Sequence, residues 1–301
     1  MRALFLAAML AAPCVAIAAE GLGTITILEG QALVYRGGGR LHAGEGVQLA
    51  AGDIVETMAA TFAQVELVDR SVVQLGPTTR VQLGASAPRQ KPERWLYLLD
   101  GWVKLNNGKR DTTAGGGFEL RAAQFEIPAH QAVIVLRNAP DELKLFVEIG
   151  SLRITERQPR GASPAAANLK AGDFYQRKPP ARGAVSAGAA PAFVGDMPRA
   201  FRDSPPLRID RFKDRPVQAK EAPGFGYADV QSWLQAEPLV RRPLMQRWRG
   251  KAREPAFRAD LVAHLAAHPE WDPILFPEKY LPKEPPPPRP AAAAVRGASA
   301  P

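Results

Sequence analysis

The stretch from Gly23 to Leu83, GTITILEGQALVYRGGGRLHAGEGVQLAAGDIVETMAATFAQVELVDRSVVQLGPTTRVQL, decides the fold. Apolar and polar residues alternate in short runs (Ile25 and Ile27; Val65 and Leu67; Val73 and Leu75; Val81 and Leu83), and Gly, Pro or Asp interrupts each run. A two-residue period puts alternate side chains on opposite faces of a pleated strand, so these runs predict half-buried strands joined by tight turns. One face then builds a core and the other meets water. The stretch contains no catalytic motif.

The same pattern continues outward. A Pro- and Lys-containing segment, Ala87 to Pro92, interrupts it, and Trp95 to Leu105 resumes it. A loop rich in Asn, Gly and Thr (Asn106 to Gly117) is followed by strand patterns at Phe118 to Ile127, Ala132 to Arg137, Leu143 to Val147, Ser151 to Thr155 and Leu169 to Gln176. No helical period is sustained between Gly23 and Gln176. A weak internal repeat runs through this region. Leu28-Glu29-Gly30, Leu99-Asp100-Gly101 and Glu148-Ile149-Gly150 each precede a strand pattern, and Leu49-Ala50-Ala51-Gly52-Asp53 is echoed by Leu169-Lys170-Ala171-Gly172-Asp173. Gly followed by Asp suits a turn in which Gly takes positive φ and the Asp side chain bonds a nearby amide. The acidic residues need no calcium to explain them. Gly turns at strand ends point to an antiparallel β-sandwich or a short β-roll rather than a long solenoid. Gly37-Gly38-Gly39 and Gly115-Gly116-Gly117 read as loops.

Three motifs in this order resemble the FecR-type periplasmic domain: Gly30-Gln31-Ala32-Leu33-Val34, then Leu49-Ala50-Ala51-Gly52-Asp53 with Glu56-Thr57, then Val65-Glu66-Leu67-Val68-Asp69-Arg70-Ser71. The resemblance extends, more loosely, to about Gln176. One departure stands out: the family usually reads Asp-Gly-Ser at a hairpin where this chain reads Asp69-Arg70-Ser71, although Gly adopts positive φ there without strain. The resemblance implies a cell-envelope role in which strand edges and loops contact a protein or a surface polymer. Regulatory members of the family sense iron-siderophore uptake and signal through a membrane helix to a cytoplasmic segment acting on a sigma factor. No such segment precedes the N-terminal apolar run here, and no later run is long enough to span a bilayer. Direct sigma-factor control is therefore not expected, whereas an indirect sensory role stays open.

Residues 1–19 read as a secretory signal peptide, with Arg2 at the charged start, an apolar run from Ala3 to Ile17, and a small-residue cleavage site near Ala18 or Ala19. An uncleaved anchor and a lipoprotein acylated at Cys14 are the competing readings; the run is short for a span, and Pro13 argues against acylation. Cys14 is the chain's single cysteine, so a cleaved, periplasmic or secreted protein carries no thiol, disulfide or cysteine-ligated metal. The formal charge of +9 is unevenly placed. Glu20 to Tyr175 holds 17 basic and 17 acidic residues, whereas Gln176 to Lys283 holds 19 against 12. An anionic partner would meet the C-terminal third.

The chain therefore divides, on composition, into a signal (1–19), an all-β domain (20–176), a Pro/Ala/Gly linker (177–192), a small basic helical domain (193–283) and a low-complexity Pro/Ala tail (284–301) with polyproline at Pro285 to Pro288. Spacing of apolar residues predicts helices over Tyr227 to Ala236, from Pro238 to about Lys251 with Pro243 an awkward interior residue, and from Pro255 to before Pro269. The second carries Arg241, Arg242, Arg247, Trp248 and Arg249, the candidate partner-binding residues. Guanidinium groups pair with phosphates or carboxylates, and Trp248 could insert or stack. The bland reading is a solvated face with Trp248 in a small core. Asp260, His264 and His268 sit four apart and could hold a metal, but a polar helix face explains them better.

No Gly-x-Ser-x-Gly elbow, His-Glu-x-x-His, phosphate-binding Gly-Lys-Ser/Thr loop or Gly-x-Gly-x-x-Gly after a strand is present, so no enzyme, cofactor or metal is expected. The reading is a non-enzymatic periplasmic binding or scaffold protein that contacts an envelope protein or an anionic envelope polymer. Peripheral membrane contact is open, no nucleic acid is expected, and oligomeric state is not specified. The alternatives are a sensory module in signal transduction for uptake systems and a glycan-acting enzyme whose paired carboxylates leave no short motif.

Overall fold

The computed structural model describes residues 21–85, 94–107, 118–157, 165–213, 215 and 217–281. The segment read as a signal (with Cys14), the Ala87 to Pro92 segment and the Pro/Ala tail lie outside these residues. The opening stretch forms β1 (Gly21–Glu29), β2 (Ala32–Arg36), β3 (Gly39–His42), β4 (Gln48–Ala50), β5 (Ile54–Thr57), β6 (Phe62–Leu67), β7 (Val72–Leu75) and β8 (Arg80–Ala85). There follow β9 (Arg94–Asn106), β10 (Phe118–Arg121), β11 (Phe125–Ile127), β12 (Gln131–Asn138), β13 (Leu143–Glu156), β14 (Ala165–Lys170) and β15 (Asp173–Arg177). Within the segment read as a linker, β16 (Ala184–Ala187) pairs with β15, all four of its residues exposed.

Two long strands organise the β half. Residues 94–100 of β9 pair with β8 on one side and, in parallel, with β10 on the other, whereas residues 101–106 pair with β7 and β12. In the same way β13 pairs with β12 and β15 before Gly150 and with β11 and β14 after it. Each strand turns from one layer into the other at a glycine of positive φ, Gly101 at 107° and Gly150 at 81°. No side chain fits there: a Cβ on Gly101 would lie 2.5 Å from Thr79, and one on Gly150 would lie 2.3 Å from the Gln131 carbonyl. The result is a β-sandwich. Its first layer runs β3-β2-β5-β8-β9-β10-β11-β13-β14 and its second β4-β1-β6-β7-β9-β12-β13-β15-β16. The inward residues of both layers, among them Ile25, Val34, Val55, Val65, Leu83, Leu98, Leu105, Ile134 and Leu145, make one apolar core.

The echoed turns are built alike. Gly52 and Gly172 both have positive φ, at 90° and 86°. The Asp53 carboxylate accepts the Ala50 N–H at 2.8 Å, and Asp173 accepts that of Lys170 at 2.9 Å. The β6–β7 hairpin keeps its geometry without glycine. Arg70 takes φ 66° there, and the Ser71 N–H donates to Asp69 Oδ1 at 3.0 Å.

The C-terminal third contributes α1 (Pro191–Asp196), a two-residue strand β17 (Lys220–Glu221) on the edge of β3, then α2 (Tyr227–Leu234), α3 (Pro238–Arg247), α4 (Pro255–Ala263) and α5 (Asp272–Leu275), with short 3-10 turns between them. The helix starts at Tyr227, Pro238 and Pro255 fall where apolar spacing predicts, and α3 continues through Pro243. The expectation of half-buried strands needs one correction. Every residue of β5, β6 and β7 is buried, because the C-terminal third covers both outer faces of the sandwich. Helices α2 to α5 pack Trp233, Leu244, Trp248, Phe257 and Trp271 over Tyr35, Ile54 and Tyr97 of the first layer. Phe193 and Phe201 pack over Ile27, Phe62, Trp102 and Phe174 of the second.

Candidate functional site

The helical layer over the first sheet, residues 227–281, holds 8 basic and 7 acidic residues, so most of the C-terminal surplus precedes it; within the layer the basic residues gather between Arg241 and Arg258. Each helix turns its apolar stripe inward: Val230, Trp233 and Leu234 on α2, Val240 and Leu244 on α3, Phe257 and Leu261 on α4. The layer is locked by a buried polar contact. Trp233 Nε1 donates to Glu56 Oε1 at 2.7 Å, and the Tyr35 hydroxyl donates to Glu56 Oε2 at 3.3 Å. Burial pushes the Glu56 carboxyl above its ordinary value, and the hydrogen bond from Trp233 opposes that shift.

The five candidate residues have separate fates. Arg241 forms a two-pronged pair with Glu270 at 3.0 and 2.9 Å, and Arg242 approaches the same carboxylate at 3.6 Å. Arg247 turns inward, where its Nη1 donates to the Gly52 carbonyl; burial lowers its pKa from the ordinary arginine value. Gly52 makes room for it, since a Cβ there would stand 2.3 Å from Arg247 Nη2. Trp248 is fully buried and donates from Nε1 to the Gly37 carbonyl at 3.2 Å, so insertion of Trp248 into a surface is corrected to a core role. Lys251 also faces inward, donating to the Phe225 carbonyl at 3.1 Å and lying over the Phe225 ring. Arg249 remains exposed and, among the described residues, makes no ion pair.

Arg249 opens onto a cleft that the sequence does not announce. The 3-10 turn Arg249–Arg253 is pinned at Ala252, which is buried, and carries Arg249 and Arg253 to the rim. Arg258, from α4, supplies the third guanidinium, anchored by its bond to the Leu275 carbonyl and by the Phe276 ring 5.8 Å away. These residues with Gly250, Ala252 and Ile274 line a cavity of about 490 Å³, and no carboxylate is among them. Arg253, like Arg249, makes no ion pair among the described residues. Arg249 and Arg253 are visible in sequence as part of a basic run, but Arg258 joins them only through the packing of α4 on that turn.

The histidines do not form a ligand set. Helix α4 ends at Ala263, so the four-residue spacing does not persist along one face. The His264 ring stacks on Tyr227 with centroids 5.0 Å apart, and the buried His268 places Nε2 3.1 Å from the Tyr227 hydroxyl. Among the described residues no group of three or more His, Cys, Asp or Glu is placed to hold a metal, and no helix is long and apolar enough to cross a membrane.

Comparison with known proteins agrees with the β half. Residues 53–153 match the family described as FecR protein. The match begins at the Gly52-Asp53 turn and ends inside β13, so it takes in both pivot glycines; the Gly30 to Val34 motif precedes it. Two crystal structures of a "putative anti-sigma factor" from Parabacteroides distasonis are similar at 14% identity and a TM-score of 0.36. They cover 45% and 48% of this chain and 59% and 64% of those chains, so this chain spans less than two thirds of their length. No curated protein matches the chain.

Proposed function

We propose, from the premise that residues 53–153 carry a FecR domain, that this protein is an exported, non-catalytic binding protein of the cell envelope. The arginine cluster of its helical layer holds an anionic envelope polymer. The observation that carries the reading is the cleft of Arg249, Arg253 and Arg258, three guanidinium groups with no carboxylate in the lining. Guanidinium pairs with phosphate or carboxylate through two parallel N–H donors, and a fixed turn loses little freedom on doing so. Arg258 is held in place by the Leu275 carbonyl, while Arg249 and Arg253 can close on a ligand from the rim. The sandwich beneath supplies rigidity rather than chemistry.

The test is retention of the full-length protein by phosphate-rich and by neutral cell-wall polymers, read by co-sedimentation across a salt series. Retention by the anionic polymer is expected to fall several-fold between about 50 and 300 mM salt, as contacts screened over a Debye length do. The double substitution Arg249→Glu and Arg253→Glu is expected to abolish it at either salt. Equal retention by both polymers, or retention unchanged by the substitutions, would overturn the reading.

A second reading follows from the FecR domain itself: an indirect sensory role in uptake-linked signalling. It predicts that deleting the gene changes transcription of an uptake system, with no dependence on Arg249 or Arg253.

A further inference from the structure

The outer face of the second layer divides in two. At one end Phe193 and Phe201 cover it with aromatic packing. At the other run two cross-strand rows. Gln64, Gln74 and Lys104 face one another on β6, β7 and β9, and the next row includes Glu66, Val72, Val133 and Ile149. The chain from Asp203 to Leu207 passes over both rows and encloses a cavity of about 360 Å³.

Hydrogen-bond direction settles what the strand face of this cavity presents, to which the covering chain adds the Asp203 carboxylate. The Glu66 carboxylate accepts the N–H groups of Arg208 and Ile209 at 2.7 and 3.1 Å and faces Gln64 Nε2 at 3.4 Å. A carboxylate in this position only accepts, so Gln64 must turn its nitrogen to Glu66 and its oxygen to Gln74. Gln74 Nε2 donates to that oxygen at 3.2 Å. The Gln74 Oε1 acceptor is left over, without a partner, on a residue 6% exposed that lines the cavity. Beside it, Lys104 gives two hydrogens to the Phe201 carbonyl and Glu148, at 2.7 and 2.8 Å, and keeps a third.

Arg70 stands at the same cavity, at a φ of 66° that glycine would adopt without strain. It makes no ion pair among the described residues; the nearby Asp210 pairs with Lys213 at 2.7 Å instead. A side chain kept at a strained backbone position is a reason to look for what it does. Val72, Val133 and Ile149 supply an apolar floor, and Ile149 is 62% exposed. No aromatic ring lines the cavity, so nothing offers a sugar a stacking platform.

We infer that this cavity binds the carboxy-terminal end of a short peptide whose last residue is apolar. The last amide N–H donates to Gln74 Oε1, the side chain covers Val72, Val133 and Ile149, and the carboxylate meets Arg70 and the third hydrogen of Lys104. The site lies on the opposite outer face from the arginine cleft and does not depend on that reading.

The test is calorimetric titration of the full-length protein with N-acetyl-Ala-Leu as free acid and as carboxamide. The acid is expected to bind about tenfold more tightly than the amide, the usual scale for one charge-assisted contact. Arg70→Gly is expected to reduce that preference to what Lys104 alone supplies while raising the melting temperature, which separates recognition from folding. Gln74→Leu is expected to weaken both probes. Equal affinity for acid and amide, no binding of the acid at millimolar concentration, or an acid preference unchanged in Arg70→Gly would overturn the inference.

Discussion

Glu56 and His268 are buried groups whose charges the fold resists, and they pull stability in opposite directions with pH. Burial holds Glu56 above its ordinary value of 4.5, so its contribution is full below that value and is lost as pH rises through the raised folded value. Burial likewise holds His268 below 6.5, so its contribution is full above 6.5 and is lost as pH falls from there. Glu56→Gln keeps an acceptor for Trp233 Nε1 and removes the titration. It is expected to raise the melting temperature at pH 8 relative to the parent, by roughly 2–4 °C for about 1 kcal/mol in a protein of this size, with little gain at pH 4. His268→Gln is expected to flatten the decline between pH 6.5 and 5. Thermal melts across pH check both, and parallel profiles for parent and variants would refute them. At this scale the sequence was informative where a residue acts on its own neighbours. Asp53 and Asp173 cap their turns as the Gly-Asp pattern indicates. The strained Arg70 could be suspected only from its departure from Asp-Gly-Ser, and the free acceptor on Gln74 not at all, since the Glu66–Gln64–Gln74 chain exists only across paired strands.

Among the elements, β9 and β13 do most to set the architecture, because each belongs to both layers. Gly101 and Gly150 are the points of crossing, and their would-be Cβ positions strike Thr79 and the Gln131 carbonyl. Gly101→Ala therefore meets two penalties, positive φ and a collision with a neighbouring strand. It is expected to cost about 2–4 kcal/mol, more than either alone. Chemical denaturation checks this against Gly172→Ala, where positive φ meets open space and the cost should stay near 1 kcal/mol. Equal losses at the two positions would show that the crossing is not tightly packed. The Gly30, Gly101 and Gly150 echo was legible as a repeat of turns. That two of these turns carry a strand from one layer to the next was not, because pairing between strands tens of residues apart leaves no local period. Helices α2, α3 and α4 were readable from Pro starts and four-residue apolar spacing; the destination of their apolar stripes was not.

In the whole molecule the C-terminal third does what a second sheet or a partner would do for an ordinary sandwich: it covers the outer faces. Tyr35, Ile54 and Tyr97 on one side and Ile27, Phe62, Trp102 and Phe174 on the other are all less than 8% exposed, and each packs against residues beyond Pro191. Ile27 alternates with Ile25 in sequence and reads as core-facing, but the register shift between them turns it outward; the other six neighbour core positions and read as the outer face, which is why composition divides the chain at residue 177 although packing continues across it. Removing residues 191–281 would leave two aromatic patches open and Glu56 without its Trp233 donor. Apolar surface is worth about 25 cal/mol per Å², and buried aromatic side chains account for 150–250 Å² each, so several such rings left in water cost more than a domain's usual net stability. Residues 21–177 expressed alone are therefore expected to aggregate or self-associate, and co-expression of residues 191–281 as a separate chain is expected to restore a soluble 1:1 complex. Size-exclusion chromatography with light scattering distinguishes the outcomes. A monomeric 21–177 piece that melts cooperatively at the parent's temperature would mean that the helical layer only rests on the sandwich, and that its arginines could then be presented independently of it.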